Sequence, residues 1–354
     1  MKICVYTIAK NEEHFIERWY ESAKEADEVV LLDTGSSDET VNTARKMGIK
    51  TFEATVSPWR FDVARNTALS LVSADIDYCI SLDADEVLVD GWRDHMMDIY
   101  PGVTRPRYKY VWSWNPDGSE GLVYGGDKIH SRNGYIWKHP VHEVLTKTHE
   151  SEEVQYWVDL QIHHFPDDTK SRAQYGPMLE LASIEAPNDD RIAFYYGREL
   201  FFQGNHEKAY EQLKYHLNLP TATWAPERSA SKRFIARCRP EEAEHWLLSA
   251  ASESPDRREP WVDLAQHYYE NEKWIECYSS AMRALSITEK PLEYICDAEA
   301  WGAKPHDLAA ISAYNLGLRD CMVHGYNALS INPDDERLQR NMGFYKVYLH
   351  KEAN

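Results

Sequence analysis

Apolar and polar positions follow two different periods along this chain. In the first half, short apolar runs alternate with amphipathic stretches. Ile3 to Ile8 has the bulk and length of a buried strand. Asn11, Glu12 and Glu13 then open a helix to about Ala26, with Phe15, Ile16 and Trp19 on one face. Val29 to Leu32 is a second strand. It ends in the polar string DTGSSDET, where Gly35 permits a tight turn and Ser37 or Asp38 can cap a helix to about Met47. Lys50 to Ala54 is a third strand, and a helix with Ala64, Ala68, Leu71 and Val72 inward follows it. Asp77 to Leu82 is the fourth strand. Alternation at this spacing predicts a mostly parallel, Rossmann-like sheet covered on both faces, with ligands bound beyond the carboxyl ends of its strands. The loops Asp33–Thr40 and Asp83–Glu86 fall at such ends and are expected to face one cleft. Alternation over Tyr108–Trp114 predicts a later strand with an aromatic face.

From about residue 172 the period is helical, and small residues recur at a fixed interval. Ala209, Ala243 and Cys277 are 34 residues apart, with small partners twelve residues earlier at Gly197, Ser231 and Ala265. Seven residues later stand His216, Ala250 and Ala284. A further unit carries Ala309, Cys321 and Ala328 at the same internal spacing, but offset by 44, so about ten residues are inserted around Lys290–Lys304. Arg337–Lys351 reads as a capping helix. The register resembles tetratricopeptide repeats, whose units cannot bury their faces alone and stack into a solenoid. The Trp-Leu-Gly signature is incomplete, and His216 stands where a small residue is usual. The division expected is an α/β domain over residues 1–170 and an all-α repeat domain over 171–354.

Composition is that of an ordinary globular chain, 43% hydrophobic and 27% charged, with no apolar stretch long enough to span a bilayer. The N-terminal run turns charged at once and reads as a strand, not a signal peptide. A formal charge of -19 repels nucleic acid and anionic membranes at long range. The six cysteines form no CxxC pair and read as buried thiols in a reducing, cytoplasmic setting.

The chemistry concentrates in ISLDADEVL. Three carboxylates in four residues at the end of a buried strand are costly unless a cation neutralises them. In an extended segment Asp83 and Asp85 point the same way, with Ala84 leaving space between them and Glu86 projecting to the opposite side. Hard oxygen ligands suit Mg2+ or Mn2+, which often hold a diphosphate as well.

The strings TIAKNEE, LLDTGSSDET, FDVARNTAL and LDADE, in this order, resemble family 2 glycosyltransferases of the GT-A fold over about residues 1–170. The resemblance implies transfer of a sugar from a nucleotide-diphosphate donor, such as a UDP-sugar, with inversion. It implies that Thr7, Asp33, Arg65 and Asp83 lie on the donor: Asp33 at the base, Asp83 at the ribose, and Arg65 near the phosphates. Asp85 would bind the metal. GT-A enzymes often complete the metal shell with a late histidine, a role that suits His163 or His164 in QIHHFPDD; His163 is assigned it beside Asp85. The segment IHSRNGYIWKHPVHEV is similar to an RN…W…VHE string of the same group. An acceptor hydroxyl needs a base, which Glu143 can supply, with Asp127 in reserve. Trp112, Trp137 and His142 are the candidate acceptor contacts. Trp112 and Trp114 stand beside a turn at Pro116–Gly118.

The acceptor stays open: a glycan, a protein side chain, a small molecule or a modified DNA base. The last is disfavoured by charge but kept by Lys109, Lys128, Arg132 and Lys138. The repeats suit a peptide or protein acceptor, self-association, or a purely structural role capping the first domain. Two other readings stand beside this one. The first is a binding or scaffold protein whose catalytic domain has lost its chemistry. The second is a nucleotidyltransferase, although its Gly-rich phosphate loop is missing from TIAKNEE.

Overall fold

The structure is a computed structural model that describes residues 1–115, 117–148, 152–167 and 174–352. Its contacts divide the chain into two units. One is Met1–Glu185 with Leu292–Tyr294, and the other is Ala186–Pro291 with Ile295–Asn354. The division thus falls after Glu185. The boundary expected at 170/171 lies outside the described residues.

The first unit begins with β1 (Ile3–Ala9), α1 (Glu13–Ala23), β2 (Glu28–Asp33), α2 (Thr40–Lys46), β3 (Lys50–Glu53), α3 (Phe61–Ser70) and β4 (Tyr78–Ser81). These are the four strands and three helices that the periodicity predicts. The neighbours β3-β2-β1-β4 are parallel. Side-chain alternation fills both faces of the sheet. Ile3, Val5, Leu31 and Ile80 pack with Ile16 and Trp19 of α1. Cys4, Tyr6, Val30 and Leu32 pack with Ala68 and Leu69 of α3.

The chain continues through β5 (Glu86–Leu88), α4 (Trp92–Met97), β6 (Arg105–Val111), β7 (Val123–Gly126), β8 (Ile129–Ser131), β9 (Tyr135–Lys138), β10 (Val144–Lys147), β11 (Gln155–His164) and α5 (Tyr175–Glu185). Strand β8 adds antiparallel to β4 and closes the five-stranded sheet. A second sheet has the order β5-β11-β6-β7, and β9 and β10 form a hairpin. The strand expected over Tyr108–Trp114 is β6. It starts at Arg105 and ends at Val111, leaving Trp114 in an isolated bridge to Glu120. Pro116 of the neighbouring turn lies outside the described residues. At Gly126 a Cβ would sit 2.2 Å from the Tyr108 ring, so only glycine lets β7 lie against β6.

The second unit is helical: α6 (Asp190–Phe202), α7 (His206–Asn218), α8 (Ala225–Cys238), α9 (Ala243–Glu253), α10 (Arg258–Glu270), α11 (Trp274–Leu285), α12 (Ala298–Trp301), α13 (Lys304–Asn315), α14 (Cys321–Ile331) and α15 (Glu336–Glu352). The pairs α6/α7, α8/α9, α10/α11 and α13/α14 reproduce the 34-residue register. The inserted residues fall between α11 and α13, where short α12 forms. Helix α15 is the expected cap. The small residues lie at the helix contacts: a Cβ on Gly197 would meet Leu213 at 2.7 Å, and Ala209, Ala265, Cys277 and Ala328 are fully buried. His216 is also fully buried. All six cysteines are free and buried.

Candidate active site

The end of β4 delivers the acids, but not as an extended pair. Strand β4 stops at Ser81. The Glu86 amide then donates to the Asp83 carbonyl at 2.9 Å, which turns the chain into β5. The turn sends the three acids to different partners. Asp83 accepts from Arg65 Nη1 at 2.7 Å and from Lys128 Nζ at 2.6 Å. Burial opposes its charge, but these two cations hold its carboxyl well below the usual range. Glu86 does not turn away, as an extended chain would require. It is buried, takes the same Lys128 at 2.8 Å and the Tyr110 hydroxyl at 2.6 Å, and accepts the Asp83 amide at 2.8 Å. Burial raises the Tyr110 hydroxyl, and the neighbouring Glu86 charge raises it further.

Arg65 is the hub. It projects from α3 and is 6% exposed. Its Nε donates to Glu143 Oε1 at 2.5 Å, and Nη1 reaches Ser81 Oγ at 3.1 Å as well as Asp83. Burial opposes its charge too, and Asp83 and Glu143 together raise its pKa well above its ordinary value. Its neighbour Asn66 clamps β9, donating to the Trp137 carbonyl and accepting the Trp137 amide, each at 2.8 Å. The ARN string therefore fixes the segment that carries Glu143. His139 and His142 both take positive φ, +79° and +50°, a conformation that costs a non-glycine residue free energy. That backbone path leads into Glu143.

Asp85 faces the other way. Antiparallel pairing of β5 with β11 sets His164 opposite Glu86, and the Phe165 amide donates to the Asp85 carbonyl at 2.8 Å. His164 Nε2 lies 3.3 Å from Asp85 Oδ2, and its Nδ1 is 2.9 Å from the Trp112 carbonyl. Burial disfavours the charged ring, but Asp85 and that carbonyl outweigh it and raise its pKa. An oxygen and an imidazole nitrogen, with the second ring nitrogen held by a backbone carbonyl, is a donor set that fits Mn2+ better than Mg2+, which favours an all-oxygen shell. Asp85, 29% exposed, and His164 are the residues that would hold such an ion.

Residues 4–100 match a family model described as glycosyl transferase family 2. The family 2 glycosyltransferase match thus lies within the first unit. An uncharacterized glycosyltransferase of Rickettsia bellii is 34% identical over 108 residues, 30% of this chain and 35% of that protein. A second, from Rickettsia typhi, is 33% identical over 36% of its own length. The chain thus spans about a third of the curated relatives it matches. Among solved structures, a glucosyl-3-phosphoglycerate synthase from Mycobacterium tuberculosis matches 31% of this chain and 44% of its own, at 24% identity and a TM-score of 0.26. The tetratricopeptide-repeat protein YrrB matches 49% of this chain and 84% of its own, at 12% identity and a TM-score of 0.39.

Within the first unit the expected residues separate into three groups. Arg65, Asp83 and Glu143 are brought together directly, and Asp85 follows in the same turn. Asp33 and Thr7 lie on neighbouring strands. Asp33 is 2% exposed and closes its own loop, accepting from the Gly35 amide at 2.9 Å, the Ser36 amide at 3.0 Å and the Ser36 hydroxyl. Thr7 is fully buried because β1 runs on to Ala9. Its hydroxyl meets the Ile8 carbonyl at 3.2 Å, so it does not present an edge to a donor.

The third group lies elsewhere. His163 is one residue out of phase on β11; its Nε2 is 3.4 Å from Gln161 Oε1 and its ring packs on Trp114. Period two along the strand gives the Asp85 contact to His164 instead. Asp127, at the β7–β8 turn, pairs with Arg105 at 3.1 Å. Trp137 points inward from β9. It is 4% exposed, donates to the Tyr6 hydroxyl at 2.8 Å and lies under Arg65 at 5.0 Å, which leaves no face for a sugar. Trp112 is 36% exposed and stacks on His164 at 5.9 Å. The His142 ring lies 5.9 Å from Tyr175. Sequence reasoning missed the parts played by Lys128, Tyr110 and Asn66. The hydrogen-bonding capacity of Asn66 inside an apolar helix face was the one signal available.

Proposed function

We propose that the protein is a divalent-metal-dependent, inverting glycosyltransferase that uses a nucleotide-diphosphate sugar, with a UDP-sugar as the first candidate. The observation that carries this reading is a charge imbalance. Two cations, Arg65 and Lys128, are shared among three carboxylates, Asp83, Glu86 and Glu143, and Asp85 in the same turn adds a fourth beside His164. Such a site repels a diphosphate on its own and accepts one when a divalent cation joins it. A bound cation supplies neutralisation of the charge that develops on the leaving diphosphate. The chain's own residues do the rest. Asp85 and His164 hold the metal side. Asp83, fixed between Arg65 and Lys128, offers its edge to the ribose. Arg65 acts as a positioning residue that keeps Asp83 and Glu143 at a set separation. Asp33 shapes the loop that borders the base.

Glu143 is the proposed base. Arg65 holds its Oε1, and the base role assigns the other oxygen to the acceptor hydroxyl. Transfer then needs that oxygen, the acceptor and the anomeric carbon in line, with the diphosphate leaving from the opposite face. Trp112 borders the acceptor side, and the acceptor is a hydroxyl compound such as a glycan or a protein side chain. The test is calorimetry with UDP and with GDP, with and without Mn2+. The expected result is binding that needs the metal and falls at least about a hundredfold in Asp85→Asn. Absence of nucleotide binding by the folded wild type would return the chain to the binding-protein reading.

A further inference from the structure

The helical unit holds a buried polar cluster that sugar transfer does not use. Asp190 lies in the first turn of α6, His216 in the last turn of α7 and Glu227 in the first turn of α8. One ligand atom from each lies within 4.8 Å of the others, and His216 Nε2 is 3.9 Å from Glu227 Oε2. His216 is 0% and Glu227 3% exposed. The imidazole Nδ1 meets the Ser231 hydroxyl at 2.8 Å, and the Phe194 ring lies 5.7 Å away. The opposite nitrogen, Nε2, is buried with no hydrogen-bond partner among the described residues.

This arrangement is unfavourable as it stands. A separation of 3.9 Å is too long for a hydrogen bond. A buried ring nitrogen facing carboxylates without a shared proton loses its hydration for nothing in return.

We propose that Asp190, His216 and Glu227 form a structural divalent-cation site, best fitted to zinc, that ties α6, α7 and α8 together. An imidazole nitrogen with two carboxylate oxygens is a zinc donor set, and part-exposed Asp190 leaves a position for water. Ligands at about 2.0–2.2 Å from a tetrahedral ion stand about 3.4 Å apart, so the cluster needs only a small side-chain contraction. Ser231 fixes the ring so that Nε2 faces the ion, the outer hydrogen bond that metal-bound histidines usually have. The proposal also explains why histidine occupies a position where the repeat register elsewhere has Ala250, Ala284 and Ala328. It joins the first repeat to the second, and it stands whether or not the first unit transfers sugar.

The test uses the full chain stripped with a chelator, in the Asp85→Asn background so that the first unit's acids do not compete. The probe is Zn2+ alone, followed by bound-metal content and thermal melting; Co2+ replaces it for visible spectroscopy. The expected results are one zinc per chain, a metal-dependent rise in melting temperature and tetrahedral Co2+ bands. Asp190→Asn and Glu227→Gln should each weaken zinc at least about tenfold with helix content unchanged, and Ser231→Ala by about 10–100-fold. His216→Ala risks opening a cavity, so the two isosteric variants decide. The proposal is overturned if the background protein retains no zinc, or if both variants bind zinc as it does.

Discussion

Asp83 and Asp85 are one alanine apart and are anchored to different parts of the domain, so their variants should fail in different ways. Asp83→Asn strips Arg65 and Lys128 of a shared carboxylate. The expected cost is about 2–3 kcal/mol in a melting experiment, below the full range for a buried pair because Asp83 is 28% exposed. Asp85→Asn should leave stability within about 0.5 kcal/mol and remove metal-dependent nucleotide binding. Equal melting shifts in the two variants would contradict this division. At the second metal position, His164→Gln should weaken Mn2+-dependent UDP binding and His163→Gln should not. The reverse would restore the assignment made from sequence. Glu143→Gln should spare nucleotide binding and slow transfer by about 10²–10⁴. Unchanged turnover would remove Glu143 from the mechanism. The acids were legible in the sequence because three carboxylates after an apolar run need a reason. Their separate partners were not, since a turn after Ser81 reverses what an extended chain implies. The choice between His163 and His164 rests on the pairing of β11 with β5, whose partners, such as His164 and Glu86, are far apart in sequence.

At the scale of elements, periods of two and of 3.6 locate the first sheet and the repeats to within a few residues. The second sheet was hidden. Strand β5 has three residues, and β11 pairs with both β5 and β6 across long connections. The helical unit offers its own test of how repeats hold together. Arg233 of α8 reaches Asp263 of α10 at 2.7 Å, and both are largely buried. Burial opposes the Asp263 charge, but Arg233 and Arg237 lower its pKa. A depressed carboxylate contributes stability above its unfolded pKa of about 3.9 and loses it as pH falls through the lower folded value. Helical circular dichroism should therefore show wild-type stability declining between about pH 5 and 2. Asp263→Asn should be less stable at pH 7 and flatter over that window. Parallel curves for the two proteins would show that the pair does not couple α8 to α10.

For the molecule as a whole, the charge of -19 and the charge balance of the site point the same way. An anionic donor approaches an acidic protein, and the two cations in its cleft are already committed to Asp83, Glu86 and Glu143. In the proposed reading, donor capture therefore rests on an added divalent ion. Among the described residues no helix is long and apolar enough to cross a membrane. The two-part organisation was legible because the hydrophobic period changes once, near residue 172. The division after Glu185 was less so, because α5 is apolar on more than one face and groups with the first unit. The most direct test of the account is a screen of nucleotide-sugars with Mn2+ and without acceptor, following release of nucleoside diphosphate from the wild type and from Asp85→Asn. Slow, metal-dependent release from one donor, lost in the variant, is the expected result. Release that is unaffected by metal removal or by Asp85→Asn, or no release or binding of any donor by the folded protein, would contradict it.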